Sequence, residues 1–477
     1  MAAAREPGTA VDGFILEERI HRGSMAEIWR ATGPGEPSLV MKIPAFREGD
    51  DPAALVGFEV EQMILPTLSG PHVPRFVAAG DWSVQPYLVM ERIAGPTLRS
   101  RLDETPLAAE EIASLGARIA DALHDVHGQH VVHLDVKPSN VLFREDGTAV
   151  LIDYGLSHHD RLPDLLAEQF RLPIGTGPYI APEQVAQIRN DPRSDLFALG
   201  VVLYYLATGE RPFGNPTSVR GLRQRLYRDP VPPRALNPRC PPWLQEVILR
   251  CLEVSPADRY ETAVHLAFEL RHPEDVPLTF RAERRSRDGA LVVWKRRFRR
   301  LGAEPDSGKT AGERLARAPL IVVALDLSPG GEALANALAR TARRVLEIEP
   351  GARLACLTVL KTSRISVDPS LDADGRSIRM RRLVELKHWT RPLGLTVGRV
   401  THHVLEAPDP ASALLEFAAA NHVDHILVGA RGSSTLRRYL GSVSSQIVAE
   451  ASCSVTVVRE TARQQPGSSA EAADISS

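Results

Sequence analysis

The stretch HVVHLDVKPSNVLF (130–143) sets a carboxylate, an ammonium and an amide, Asp135, Lys137 and Asn140, within six residues. VLIDYGLS (150–157) then adds Asp153, and GTGPYIAPE (175–183) adds Thr176 and Glu183. Any one of these carboxylates alone reads as a helix cap or a surface ion pair. Recurring in this order, they read as parts of one site. Upstream, LVMK carries Lys42 on a predicted strand, and FEVEQ carries Glu61 on the following predicted helix, 19 residues later. The runs FILEERI, PSLVMKI and YLVMERI predict strands before the central stretch. After 108 the reading turns helical: Ile112, Leu115, Ile119, Leu123 and Val126 recur at helical spacing, and Gly128 is a stop signal. Strands first and helices after predict an α+β body with two lobes.

These motifs resemble the eukaryotic-type protein kinase family, and most closely its bacterial Ser/Thr members. The resemblance covers residues 11–270 and implies a bilobal kinase fold that uses ATP and Mg2+ and takes protein hydroxyls as acceptors. Phosphoryl transfer is mostly positioning and charge neutralisation, which is why such a site needs cations, metal ligands and a group to orient the hydroxyl. The resemblance makes Lys42 the lysine on the α- and β-phosphates and Glu61 its partner. Asp135 is the expected catalytic base, and Lys137 lies near the transferred phosphate. Asn140 and Asp153 are the expected Mg2+ ligands. Met90 falls at the gatekeeper position, and Glu91 and Ile93 where the hinge meets adenine. Ile20, Gly23 and Ile28 complete the expected ATP-binding set. Glu183 with Arg259, and Asp195, match structural members of the signature.

The chain departs from the family in three places. The glycine-rich loop maps onto His21, Gly23, Ala26 and Ile28, so only its central glycine is kept. Glycines there let backbone N–H groups approach phosphates, so weaker ATP binding or slower turnover is expected. Leu134 stands where an arginine commonly precedes the catalytic aspartate; that arginine meets a phosphorylated loop residue. Residues 156–180 offer only Ser157, Thr176 and Tyr179 as hydroxyl acceptors. The expectation is activity that does not depend on phosphorylation of this loop. Tyr154 replaces the usual Phe and keeps an aromatic ring.

From 319 the pattern changes to strands alternating with helices: LIVVALD, 331–347 (with Leu334, Leu338, Thr341 and Val345 on one face), LACLTVL, 376–390, LTVGRVTHHVL, 409–421, HILVG, 442–450 and SVTVV. Five strands and four helices predict an α/β doubly wound parallel sheet. VALDLSP, DHILVGARG and LGSVSSQIVAEASCSVTVV make residues 319–460 resemble the universal stress protein family. The resemblance implies a nucleotide site from Asp326, Gly429, Gly432, Gly441 and Ser442, with eight residues where the family's phosphate loop has nine before Gly441. It also makes SVTVV a candidate homodimer edge. Residues 1–10 read as a flexible N-terminus, 271–318 as a basic linker with 13 Lys plus Arg against 7 Asp plus Glu, and 461–477 as a disordered tail.

The 477 residues carry 57 Lys plus Arg against 59 Asp plus Glu, a net charge of −2, which argues against a protein that binds nucleic acid through bulk charge. The longest apolar stretch, FALGVVLYYLATG (197–209), is too short to span a bilayer, so no integral membrane segment is expected. Four dispersed cysteines without a CxxC pair read as free thiols of a cytoplasmic protein. DSGKT (306–310) lacks the spacing and preceding strand of a phosphate loop, and His158–His159 and His402–His403 lack metal-ligand partners. The expected function is an ATP-dependent Ser/Thr protein kinase with a nucleotide-sensing or dimerisation domain behind it. The alternatives are a nucleotide-binding pseudokinase scaffold and, less in keeping with GTGPYIAPE, a small-molecule kinase.

Overall fold

The computed structural model describes residues 5–23, 26–44, 52–82, 84–287, 289, 293, 318–328, 330–362, 377–396, 398–430 and 441–459. The chain divides into two compact units, which among the described residues hold 5–293 with 377–380, and 318–362 with 381–459.

The first unit begins with strands β1 (Ala10–Val11), β2 (Phe14–Arg22), β3 (Ala26–Gly33) and β4 (Glu36–Pro44), then helix α1 (Pro52–Ile64) and strands β5 (Phe76–Ala79) and β6 (Leu88–Glu91). The strands form one antiparallel sheet in the order β1-β2-β3-β4-β6-β5. Phe14, Leu16, Trp29, Ala31, Leu39, Met41 and Ile43 gather in one buried cluster. The period-two alternation of strands then sends Ile28 and Lys42, cross-strand partners, to the opposite face. Residues 5–9, expected to be flexible, are instead tied to this sheet. Gly8 N donates to Leu16 O at 2.7 Å, and Arg5 Nη2 to Gln85 Oε1 at 2.8 Å.

The helical lobe starts with α2 (Ala109–Gly128), whose buried stripe holds Ile112, Leu115, Ile119, Leu123 and Val126 as the spacing predicts. Two small antiparallel pairs follow: β7 (Val131–Val132) with β10 (His158–His159), and β8 (Val141–Phe143) with β9 (Ala149–Leu151). Short helices α3 (Leu165–Gln169) and α4 (Pro182–Val185) lead into α5 (Arg193–Thr208), which is buried on nearly every side and so carries the apolar run noted above. It ends at Gly209, whose φ of 76° is a left-handed cap conformation that disfavours a side chain. Helices α6 (Val219–Leu222), α7 (Pro233–Leu236), α8 (Pro242–Cys251), α9 (Ala263–Arg271) and α10 (Phe280–Glu283) complete the lobe. Part of the expected basic linker therefore belongs to it. Its arginines find acidic partners, Arg281 on Glu253 at 2.7 Å and Arg284 on Asp229 at 2.9 Å, and Ala282 is buried.

The second unit alternates β11 (Leu320–Ala324), α11 (Glu332–Ile348), β12 (Arg353–Lys361), α12 (Ile378–Thr390), β13 (Val400–Ala407), α13 (Pro410–Ala420), β14 (His425–Ala430), α14 (Ser442–Glu450) and β15 (Ser454–Arg459). The five strands are parallel in the order β13-β12-β11-β14-β15. Every residue of β11 is buried, as a central strand covered on both faces requires. The buried stripe of α11 runs through Leu334, Ala337, Leu338, Ala342 and Leu346. Thr341 and Val345, expected on that face, lie at its margin because small alanines occupy its centre. Among the described residues no helix is long and apolar enough to cross a membrane.

Candidate active site

Lys42 projects from β4 toward α1, and its Nζ lies 2.6 Å from Glu61 Oε2 and 2.9 Å from Asp153 Oδ1. Burial works against the Lys42 charge, but the carboxylates of Asp153 and Glu61 outweigh it and hold the ammonium above its usual value. The same ammonium holds the Asp153 carboxyl down at about 2. Two facing glycines allow this approach. A Cβ on Gly57 of α1 would stand 3.0 Å from Gly155 O, and one on Gly155 would stand 3.0 Å from Gly57 O.

Below it, residues 133–140 form a loop held from inside the lobe. The buried Asp195 carboxylate accepts from His133 N and Leu134 N, both at 2.8 Å. This clamp supports Leu134 at φ 61°, a conformation that costs a non-glycine residue energy. Asp135 is then surrounded. Lys137 Nζ lies 2.5 Å from its Oδ2, Thr176 Oγ1 donates to its Oδ1 at 2.8 Å, and Asn140 Nδ2 donates to its Oδ2 at 3.1 Å. Lys137 also reaches Thr176 at 2.9 Å. Asn140 spends its amide N–H groups on Asp135, which leaves its Oδ1, among the described residues, with one contact, Ser139 Oγ at 3.2 Å. Asp153 engages Lys42 through Oδ1 alone. The donor set left over is a carboxylate oxygen and an amide oxygen, hard ligands suited to Mg2+ when phosphates and water complete its sphere. Among the described residues no group of three or more His, Cys, Asp or Glu would hold a metal unaided.

The other expected ATP contacts divide. Ile28 lies opposite Lys42, Ile20 is exposed beside a bulge between Arg19 and His21, and Gly23 N donates to Ala26 O at 3.0 Å. Met90 is buried on β6. The Glu91 carboxylate is turned to Arg144, which drives its pKa down, and the Glu91 N–H donates to Arg75 O at 2.9 Å, so neither its side chain nor its N–H is left for a ligand. Among the described residues the Ile93 N–H has no protein partner. Two positions escaped the sequence reading here. A Cβ on Gly95 would lie 1.6 Å from Phe143 O, so the chain leaving the hinge admits no side chain; the Gly-Pro pair is the only local signal. Arg144 has no local signal at all.

The segment 156–180 is ordered by internal contacts. Asp164, half-buried on α3's N-terminal side, accepts from Arg189 Nε at 2.8 Å and lies 3.2 Å from His158 Nδ1. Ser157 is buried with its hydroxyl on His133 O, Thr176 is bonded as above, and Tyr179 is buried. Leu134 is buried too, so no cation at that position faces the segment. Beyond it, Arg259 and Glu183 form a two-pronged buried pair at 2.7 and 2.8 Å. Removing one partner of such a pair costs about 3–5 kcal/mol, which marks it as an anchor of the fold.

In the second unit a cleft of about 340 Å3 opens at the carboxyl ends of β11 and β14, lined in part by Asp326, Leu334, Thr358, Lys361, Gly429 and Val443. Asp326 is exposed and bonds Ser328 N at 3.1 Å. Gly429 has a packing reason of its own, since a Cβ would meet Leu334 at 2.6 Å. Gly441 caps α14 and Ser442 begins it. Gly432 and DSGKT lie outside the described residues. The paired histidines are packed, His402 on Thr390 Oγ1 at 2.8 Å and His403 on Thr401 Oγ1 at 2.9 Å.

A β-rich lobe over a helical lobe, with a strand-borne lysine held by a helical glutamate above an aspartate loop, defines the two-lobed kinase fold. The protein kinase domain profile matches residues 16–269, and the chain belongs to that family. The universal stress protein family profile matches residues 320–459. The serine/threonine-protein kinase PkaA of Streptomyces coelicolor is 34% identical over 278 residues, covering 54% of this chain and 49% of its own. PknB of Mycolicibacterium smegmatis is 30% identical over 265 residues (54% and 42%). PknL of Mycobacterium tuberculosis is 29% identical over 259 residues (54% and 64%). The chain thus spans about half the length of these curated relatives.

Proposed function

We propose that the protein is an ATP-dependent Ser/Thr protein kinase. The observation that carries this reading is the single Lys42 ammonium bonded to both Glu61 and Asp153 above an Asp135 already bonded to Lys137 and Thr176. In this reading Lys42 orients the α- and β-phosphates. Asp135 accepts a hydrogen bond from the acceptor hydroxyl and takes its proton as the oxygen attacks the γ-phosphorus and ADP leaves. Lys137 offsets charge on the transferred group. Asn140 and Asp153 would hold Mg2+, which neutralises phosphate charge when bound. Ile20, Ile28 and the backbone at Glu91 and Ile93 line the adenine side, with Gly23 near the phosphates. Because Asp164 supplies a resident anion for Arg189, the segment 156–180 needs no phosphate to be ordered.

For the second unit we propose nucleotide binding in the Asp326 cleft, with β15, the terminal strand of its sheet, as a homodimer edge. Four unpaired cysteines, three of them buried, support a reducing cytoplasmic setting.

Radiolabelled ATP and a panel of Ser and Thr peptides test the kinase reading. Wild type is expected to transfer label, Asp135→Asn at a rate lower by about 10²–10⁴-fold, and phosphatase-treated wild type at an unchanged rate. Equal transfer by wild type and Asp135→Asn sinks the enzyme reading in favour of a pseudokinase scaffold. Loss of rate after phosphatase, traced to a residue in 156–180, sinks the phosphate-independent segment.

A further inference from the structure

Arg225, just past α6, is 1% exposed, and among the described residues no carboxylate pairs with it. Its guanidinium is spent on backbone carbonyls instead. Nη1 donates to Ile180 O, Nη2 to Gly177 O at 2.8 Å, and Nε to Leu222 O at 3.2 Å. Burial lowers its pKa only to about 10, so it stays charged at neutral pH. Burying a cation without a counter-ion is costly unless it is fully hydrogen-bonded. A position needing only bulk would be filled more cheaply by an apolar side chain.

The neighbouring rings make up for the missing counter-ion. Arg225 Cζ lies 5.5 Å from the Phe213 ring centroid, Phe213 stacks on Phe197 at 5.7 Å and 15°, and Arg259 Cζ lies 5.0 Å from Phe197. Two buried arginines thus sandwich two stacked phenylalanines, each ring face attracting the cation beside it. Both arginines hold the same stretch of chain: Arg259 through Glu183, Arg225 through Gly177 and Ile180. Gly177 follows Thr176, the residue bonded to Asp135 and Lys137. The fit is tight, since a Cβ on Gly177 would stand 2.7 Å from Pro216 O.

We infer that Arg225 is a positioning residue for the protein substrate: it fixes the carbonyls flanking 178–179, and through Thr176 it sets the peptide-binding segment against Asp135. The inference rests on the kinase reading, because it assigns a peptide to the surface that 175–181 presents. Arg225 touches neither Lys42, Glu61 nor Asp153, so its loss acts on the peptide and not on ATP. Lysine cannot replace it, because one ammonium cannot span three carbonyls set out for a planar fork.

Arg225→Lys and Arg225→Gln in the full chain test this by peptide and ATP kinetics together with amide hydrogen exchange. The expected result is a peptide KM raised about tenfold or more, as loss of charge-assisted bonds to buried carbonyls implies. The ATP KM should stay within about twofold, and faster exchange should be confined to 175–181 while 39–43 stays protected. Equal shifts in both KM values, or exchange unchanged at 175–181, overturn the inference. A wild type that transfers no label removes the kinase reading. Localised exchange at 175–181 would then still establish the clamp, and uniform exchange would reject it.

Discussion

At the residue scale, the Lys42 ammonium decides the electrostatics of the cleft. It is held by two carboxylates of different character: Glu61 is buried, whereas the Asp153 side chain is 40% exposed. Asp153 has a pKa of about 2, below the ordinary aspartate value of about 3.9. The sign follows from linkage: the unfolded chain binds the proton more readily, so the pair stabilises the fold above pH ~4 and stops doing so as pH falls through ~2. Wild type should therefore outlast Asp153→Asn in urea at pH 7, with the gap closing between pH ~4 and ~2. A gap independent of pH would show that the pair does not contribute in this way. Asp135, Lys137, Asn140, Asp153, Lys42 and Glu61 were all legible as types and in order. The roles of Arg144 and Arg225 were not, because an arginine bonding distant carbonyls or a distant carboxylate leaves no local pattern.

At the element scale, the position of α1 is set by its contact with the chain after Asp153. Gly57 and Gly155 meet backbone to backbone, and only that closeness brings Glu61 within 2.6 Å of Lys42. Gly57→Val should push α1 outward and separate the pair. Overpacking of about 1–3 kcal/mol, if it falls on the pair, corresponds to a fall in kcat/KM of about 5- to 150-fold. Peptide phosphorylation assays with a parallel melting curve check this, and unchanged kcat/KM would mean that α1 shifts without loosening Glu61. Strand alternation and the 109–128 helix could be read from spacing because one face of each is buried. Gly57 could not, since its partner lies 98 positions away in sequence (155 against 57). The ends of the first unit were misread for a related reason. Residues 5–9 and 273–284 look polar and irregular, yet they fold onto the body through specific partners such as Gln85, Glu246 and Asp229.

At the scale of the whole molecule, one chain joins a kinase unit to a parallel-sheet unit, each with its own core, and the second has a cleft beside Asp326. If the Lys42 site and the Asp326 cleft both bind nucleotide, equilibrium dialysis of the full chain with Mg-ATP should find two sites per chain and Asp326→Ala should leave one. A single site in wild type, unaffected by Asp326→Ala, leaves the second unit an interaction role. By itself the sequence determined the class of each unit, because burial must follow strand and helix periods and because phosphoryl transfer needs charged groups in a fixed order. Only the tertiary structure decided which carbonyls Arg225 holds, that the Glu91 carboxylate faces Arg144 and not a ligand, and how closely α1 approaches Gly155. Those depend on distances between segments far apart in the chain, and no local spacing encodes them.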